Sequence, residues 1–182
     1  MRSFGQIPQQ VAINSLAYVE GLQENGIIAI AKHYPGHGDT QSDSHLTLPQ
    51  LPYNRERLDS VELVPFKMLC RSGVGGIMTA HLNVPQLDTV KGIPSSLSSK
   101  IVENILRKEW NYGGLIMTDA MNMSGAKSFG NPGEIDVLAL KAGNDVIEFP
   151  TDAVVTINAI RKALENKILS WDEINLKCIP VS

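Results

Sequence analysis

The chain has 182 residues, of which 43% are hydrophobic, and its formal net charge is −3 at pH 7. This length and apolar content suffice for one domain with a buried core. The balanced charge argues against a nucleic-acid footprint, and no apolar run approaches the roughly 18 residues of a membrane span. We therefore expect neither nucleic acid nor a membrane as a partner. The first residues contain no apolar signal-peptide segment, and we expect a cytoplasmic location.

The apolar pattern predicts an alternation of helices and strands. A first helix is expected from about Pro8 to Gln23. Four short apolar runs are continuous rather than alternating, which is typical of parallel strands that are covered on both faces. These runs are Ile27 to Ala31, Gly76 to Ala80, Gly114 to Thr118, and Asp145 to Phe149.

Helical spacing of apolar residues predicts four more helices between and after these strands. Ser98 is a candidate cap for the second, Gly143 is expected to end the third, and Asp152 to begin the fourth. Their apolar faces are Leu58, Val61, Val64, Met68 and Leu69; Ile101, Val102, Ile105 and Leu106; Ile135, Leu138, Ala139 and Ala142; and Val154, Ile157, Ile160 and Leu164. The alternation predicts an α/β fold with a parallel sheet, either doubly wound or closed as a barrel.

Polar side chains capable of chemistry stand at the end of each predicted strand. They are Lys32 and His33, His81, Asp119, and Glu148. A (β/α) barrel gathers such groups at the carboxyl ends of its strands. A Rossmann-type sheet instead has a GxGxxG turn after its first strand, and the sequence contains none. We therefore favour the barrel, and because a closed one needs eight strands and about 250 residues, the chain corresponds to part of a barrel.

The segment after the first strand is the most unusual, because it holds three of the four histidines, His33, His37 and His45. Its residues alone leave three readings open, namely a metal site, a polar loop with structural histidines, or acid–base catalysis by an Asp-x-His pair. The irregular spacing makes the metal site the weakest of these. Asp43 and His45 have the spacing of an Asp-x-His pair, in which the carboxylate fixes the tautomer and stabilises the imidazolium.

The position of Asp119 directly after the predicted strand that ends at Thr118 is compatible with two roles. An aspartate after a strand commonly caps a helix or pairs with a cation. At the carboxyl end of a barrel strand it instead lies on the catalytic face. Its position alone does not decide between the two.

Two segments closely resemble the signatures of glycoside hydrolase family 3, in its β-N-acetylglucosaminidase branch. The first is Lys-His-Tyr-Pro-Gly-His-Gly-Asp-Thr at 32–40, continued by Asp-Ser-His at 43–45, and the second is Gly-Leu-Ile-Met-Thr-Asp-Ala-Met at 114–121. The stretches 76–81, 94–98 and 142–145 agree as well, so that the resemblance extends from Arg2 to about Leu169. It implies the C-terminal part of a (β/α)8 TIM-type barrel, with about four to five β/α units, in one domain that covers residues 1–182.

The resemblance also implies an activity, that of a retaining β-N-acetylglucosaminidase without metal or other cofactor. Asp119 matches the nucleophile, and His45, oriented by Asp43, matches the acid/base. Substrate-binding positions are matched by Arg2, Lys32, His33 and His81, while His37 matches a structural position. The implied substrates are N-acetylglucosamine-containing saccharides of the kind derived from cell walls.

Two alternatives remain beside hydrolysis. A neutral histidine base does not repel an anionic acceptor, so that a phosphorylase of the same family is one of them. The resemblance also implies that about three barrel strands have no counterpart before Arg2, and a noncatalytic fragment is the other. Because an open barrel exposes sheet edges, we expect a homo-oligomer in which a partner covers the open side. Residues 174–180 are expected to be irregular, and Cys70 and Cys178 to be free and buried.

Overall fold

The computed structural model describes residues 3–38, 40 and 48–178. The chain begins with helix α1, Pro8–Gln23, as predicted. Strand β1 is Ile30–Tyr34, β2 is Gly76–Thr79 and β3 is Leu115–Thr118. The remaining helices are α2 (Arg55–Ser60), α3 (Leu63–Arg71), a short 3-10 turn (Ser95–Leu97), a π-helix (Val102–Glu109), α4 (Ser124–Lys127), α5 (Glu134–Ala142), α6 (Ala153–Glu165) and α7 (Trp171–Lys177).

The three strands form one parallel sheet in the order β1-β2-β3. Gly76 pairs with Leu115 and Thr79 with Thr118, so that β2 and β3 run in uninterrupted register. Each connection between neighbouring strands passes through helices, which is how parallel strands are joined. The predicted α/β class with a parallel sheet is confirmed.

The first strand begins three residues later than predicted. Gly26 adopts a φ of +76°, and the Ile27 amide still donates to the Leu22 carbonyl in the turn that ends α1. Ile27 and Ile28 are 54% and 69% exposed, and pairing with β2 starts at Ile30. Lys32 and His33 therefore lie within β1 rather than after it.

The predicted fourth strand, Asp145 to Phe149, is wrong as a regular strand. Only one isolated parallel bridge, between Met117 and Val146, joins this segment to β3. On both sides of the bridge, side-chain oxygens accept the backbone amides that would bind to carbonyl oxygens in a regular strand pair. The Ile116 amide donates to the Asp145 carboxylate at 2.8 Å, and the Glu148 amide donates to the Thr118 hydroxyl at 3.0 Å. These substitutions interrupt the regular ladder.

Several helices also differ from the sequence prediction. The segment predicted as one helix around Leu58 to Leu69 is divided into α2 and α3. On α6, Val154 and Ile157 are 67% and 50% exposed, so the predicted apolar face is wrong at these positions. The side chains of α6 that are buried are Thr156 and Ala163.

Residues 174–177 are helical where an irregular segment, 174–180, was expected, and residues 179 and 180 lie outside the described residues. Ser170 caps α7 by accepting the Glu173 amide at 3.2 Å, and the Glu173 carboxylate accepts the Ser170 amide at 2.6 Å. This reciprocal capping box explains the helix, because two otherwise unsatisfied donors find acceptors. Cys70 and Cys178 are free, but Cys178 is exposed, so its expected burial is wrong.

The main core lies between one face of the sheet and the surrounding helices. Ile77 and Ile116 on the sheet are fully buried against residues of α1, α2, α3 and the π-helix. Two smaller clusters hold α5 and α6 in place: Leu97, Met121, Ala126, Ile135 and Ala139 in one, and Val137, Leu140, Ala163 and Leu169 in the other. In the described part of the chain, no helix has the length and apolar character needed to cross a membrane.

Candidate active site

A bulge in β1 shapes the first part of the site. Ala31 pairs with Ile77 and Tyr34 with Thr79, so that Lys32 and His33 on β1 stand opposite the single residue Met78 on β2. Such a bulge bends the strand and redirects its side chains. The Tyr34 ring remains fully buried in the core, whereas Lys32 is exposed and His33 half-buried.

Asp119 stands at the carboxyl end of β3, next to this bulge. Its backbone amide donates to the Thr79 carbonyl at 2.8 Å, which extends the β2–β3 pairing by one residue. Its Oδ1 accepts the Ala120 amide at 2.9 Å, and its Oδ2 lies 3.8 Å from Nε2 of His33. The carboxylate is thus fixed by the backbone on one side and stays 16% exposed. The structure brings together two of the predicted site residues, Asp119 and His33.

His81 follows β2 and lies behind Asp119, where its ring is fully buried. Its Nε2 is 3.1 Å from the Ala120 carbonyl, and its Nδ1 is 2.8 Å from the Ser96 hydroxyl. A carbonyl can only accept, so Nε2 carries the proton and donates it. In the neutral ring Nδ1 then accepts from the Ser96 hydroxyl. Both ring nitrogens are therefore engaged within the protein.

Burial also sets the charge of His81. Desolvation lowers the pKa of its imidazole, and the hydrogen bond to Ala120 together with the nearby Asp119 charge opposes this shift. The neutral tautomer with a proton on Nε2 is therefore the favoured form.

A buried polar network continues from Ser96 to the sheet. The Asn144 amide nitrogen donates to the Ser96 carbonyl at 2.8 Å, and the Thr79 hydroxyl donates to the Asn144 side-chain oxygen at 2.8 Å. Thr79, Ser96, His81 and Asn144 are each fully buried. Buried polar groups that are satisfied in this way hold one arrangement of the backbone, and this network joins the end of β2 to the end of β3.

The histidine-rich segment is described only in part. Its His37 ring nitrogen Nδ1 lies 2.6 Å from the Thr40 hydroxyl, and its ring is 6.1 Å from that of His33. Three predicted site residues, Arg2, Asp43 and His45, lie outside the described residues. Among residues 3–38, 40 and 48–178, no group of three or more His, Cys, Asp or Glu side chains is arranged to hold a metal ion.

Comparison with known families decides the family of this fold and site. Residues 1–181 match the model of the glycosyl hydrolase family 3 N-terminal domain. The chain belongs to this family. A family 3 β-N-acetylglucosaminidase from Paenibacillus sp. str. FPU-7 superposes with a TM-score of 0.93 at 38% identity, over 97% of this chain and 34% of that one.

Curated sequence relatives are named as β-hexosaminidases. β-Hexosaminidase A of Pseudoalteromonas piscicida is 35% identical over 160 residues, covering 82% of this chain and 27% of the relative. A β-hexosaminidase of Neisseria meningitidis serogroup C is 36% identical over 146 residues, covering 80% of this chain and 40% of the relative. This chain thus spans less than half the length of these relatives.

The phosphorylase alternative is not favoured by these comparisons. The β-glucoside phosphorylase BglX superposes with a TM-score of 0.91 but is only 23% identical, and this similarity shows the fold alone. The noncatalytic alternative is not favoured either, because the named relatives are hexosaminidases and an N-acetylglucosaminidase.

The family 3 resemblance did not assign roles to Thr79, Ser96 and Asn144. They lie in stretches that match the family, but their place in a network around Asp119 appears only in three dimensions. The sequence offered one signal, which is the group of three serines, Ser95, Ser96 and Ser98, around a single leucine. All three serines are buried in the fold. A buried serine needs a hydrogen-bond partner, and Ser96 finds His81.

Proposed function

We propose that this chain carries the nucleophile of a retaining β-N-acetylglucosaminidase that acts on N-acetylglucosamine-containing saccharides, of the kind derived from cell walls. The observation that supports this best is Asp119, a carboxylate that is 16% exposed at the end of a parallel strand, held by the Ala120 amide and facing His33. The similarity to family 3 hexosaminidases gives the sugar class.

Asp119 would act in the first of two steps. Its Oδ1 is occupied by the Ala120 amide, and Oδ2 faces His33 and attacks the anomeric carbon. As this bond forms, the bond from the anomeric carbon to the leaving oxygen breaks, and His45 gives its proton to that oxygen. The product is a covalent glycosyl-enzyme, as in other retaining glycosidases.

His45 would act again in the second step. Now neutral, it takes a proton from water as the water oxygen attacks the anomeric carbon, and the bond to Asp119 breaks. Two displacements at the same carbon return the original configuration. Asp43 orients His45 and stabilises its charged form. These two roles are proposals that rest on the family resemblance of their segment.

Sugar hydroxyls would be bound by Arg2, Lys32 and His33. Lys32 is exposed beside the bulge, and His33 lies 3.8 Å from the carboxylate that attacks. We propose a different role for His81, because its ring is fully buried and both its nitrogens are engaged by Ser96 and Ala120. His81 positions the Asp119–Ala120 segment rather than touching the sugar.

The test is hydrolysis of an aryl β-N-acetylglucosaminide by the chain and by Asp119→Asn. We expect the substitution to reduce kcat by at least about a thousandfold, because the amide is a poor nucleophile. The matched control is Asp172→Asn in α7, which removes an equal charge from an exposed position and should leave kcat unchanged. Activity that survives in Asp119→Asn contradicts the nucleophile role. Absence of activity in all three proteins favours the noncatalytic alternative.

For the 182-residue chain by itself we also propose self-association. No strand within the described ranges pairs with the outer edge of β1. Ile28 precedes this edge and is 69% exposed, and Val146 and Phe149 beyond β3 are 39% and 68% exposed. Unpaired edges flanked by apolar side chains favour pairing with another chain. A second copy that covers the unpaired edge of β1 is therefore proposed, and measurement of the mass in solution by light scattering tests it.

A cytoplasmic location remains a proposal of its own. Fractionation of cells that express the full natural gene, followed by detection of the protein with an antibody, tests it. Recovery outside the cytoplasmic fraction would contradict the proposal.

A further inference from the structure

Glu148 is the one strand-end group of the sequence pattern that the proposed mechanism does not use. The parallel bridge between Met117 and Val146 fixes its position, because Asp119 and Glu148 each stand two residues further along. Side chains alternate along extended backbone, and paired residues of neighbouring strands share a face. Glu148 is therefore the lateral neighbour of Asp119 on the same face of the sheet.

Two backbone hydrogen bonds support this placement. The Glu148 amide donates to the Thr118 hydroxyl at 3.0 Å, and the Met121 amide donates to the Glu148 carbonyl at 2.9 Å. Glu148 thus flanks the short segment in which Asp119 stands. The face in question is open, since Val146 is 39% exposed, whereas Ile116 and Thr118 on the opposite face are fully buried.

The carboxylate of Glu148 has an unusual environment. Its Oε2 is inaccessible to solvent, and this atom has no hydrogen-bond partner among the described residues. A buried carboxylate oxygen without a donor is costly, and native proteins rarely keep one without a functional reason. The other oxygen, Oε1, is not among the buried atoms without a partner, so that one end of this half-buried carboxylate can meet a bound molecule.

We infer that Glu148 contacts the substrate, with its carboxylate accepting a hydrogen bond from a hydroxyl group of the sugar held against Asp119. This inference rests on the proposed function. Sugar hydroxyls are neutral donors, and the carboxylate can accept from them through Oε1, while Oε2 stays buried in the protein. Glu148 is then a specificity-determining residue, since it favours a sugar with a hydroxyl at that position.

The test uses two variants, Glu148→Gln and Glu148→Met, measured by thermal unfolding and by titration with N-acetylglucosamine. A contact made only with the sugar predicts that Tm does not fall in either variant, and that it rises by roughly 2–4 °C in Glu148→Met, in which the unpaired buried oxygen is removed. It also predicts that the dissociation constant for N-acetylglucosamine rises by about tenfold or more in both variants. The matched control, Glu165→Gln at an exposed position of α6, should change neither quantity.

The other outcomes separate the inference from the proposed function. A lower Tm in both variants shows that the carboxylate is held by the protein itself and overturns the inference. Unchanged sugar affinity in both variants, with binding by the wild type, overturns the inference alone. No binding by the wild-type chain contradicts the proposed function, and the inference falls with it.

Discussion

Ala120 holds the Asp119 carboxylate, the proposed nucleophile, from one side and is itself held from the other. Its amide donates to Oδ1 of Asp119, and its carbonyl accepts from Nε2 of His81. A displacement of this residue would rotate the carboxylate away from the direction of attack. Misplacement of a reacting group by about 1 Å can reduce the rate about a hundredfold. We therefore expect the buried His81 to affect the proposed catalysis by Asp119 without touching the substrate.

Two substitutions of His81 separate the hydrogen bond from the packing. The side-chain amide of His81→Gln can place an N–H near the position of Nε2, whereas the shorter His81→Asn reaches only to about the position of Nδ1. We expect kcat to fall by about tenfold to a hundredfold in His81→Asn with KM nearly unchanged, and to be largely retained in His81→Gln. Hydrogen exchange of the Ala120 amide should accelerate in His81→Asn. Equal losses in both variants would show that ring packing, not the bond to Ala120, is what matters.

The buried imidazole also predicts how stability depends on pH. An unfolded histidine takes up a proton near pH 6.5, whereas desolvation lowers the pKa of His81 in the folded chain. Below about pH 6.5 the unfolded state thus binds more protons, and the free energy of unfolding falls as the pH drops toward the folded pKa, by at most about 1.4 kcal/mol per pH unit. Urea unfolding at about pH 7.5 and about pH 5.5 measures this. The decrease should be smaller in His81→Gln, and an identical decrease would contradict the prediction.

At the scale of elements, the predictions succeed where hydrophobic pattern and local chemistry agree. Helix α1 has a proline at its first position and ends at the residue predicted. The apolar run around Gly76 to Thr79 is buried on both faces and forms β2. Gly143, expected to end the third of the later helices, adopts a φ of +113° directly after α5. Each of these signals is local and can be read from a few residues.

The errors have a common physical cause, which is competition from contacts distant in sequence. The turn after α1 delays β1, and side-chain acceptors at Asp145 and Thr118 replace the ladder of the predicted fourth strand. The site follows the same division. The positions of Asp119 and His33 near the ends of predicted parallel strands indicated that they lie close together. No pattern in the sequence indicated that His81 is buried with both ring nitrogens hydrogen-bonded.

The end of α5 offers a test of the link between helix and sheet. Gly143 adopts a left-handed conformation, and a Cβ there would lie 3.1 Å from the Glu103 carboxylate and 3.3 Å from the Val102 side chain. We expect Gly143→Ala to lower the free energy of unfolding by about 1–2 kcal/mol or more. Asn144, which follows directly, should lose protection from hydrogen exchange.

Gly21 in the last turn of α1 is the matched control for this substitution. A Cβ at Gly21 meets nothing within 4 Å, and the residue lies in regular helix. Gly21→Ala should therefore raise the free energy of unfolding by about 0.5–1 kcal/mol, since alanine loses less backbone entropy in a helix. Urea unfolding of both variants gives the comparison. Equal effects of the two substitutions would contradict the conformational argument.

For the whole molecule, the distribution of the core is decisive. The main cluster covers the face of the sheet that carries Ile77 and Ile116, and helices surround it. The outer edge of β1 has no strand beside it in the described ranges, and the opposite face carries Asp119 and His33. The similar family 3 proteins are longer, since the chain covers 34% of the Paenibacillus enzyme. In a single copy of this chain, the face of the proposed sugar site therefore lies next to the unpaired edge of β1.

This arrangement predicts that association and thermal stability are coupled. If a second copy covers the edge of β1, association stabilises only the folded state, and Tm rises with protein concentration by mass action. Ile28→Lys places a charge at the 69% exposed position before this edge. It should reduce the mass measured by light scattering and abolish the dependence of Tm on concentration, because charged side chains at an edge oppose strand pairing. Val90→Lys, at a 48% exposed loop position, is the control and should change neither. A wild-type chain that stays monomeric at high concentration, with a constant Tm, would show that the fold tolerates its open edge without a partner.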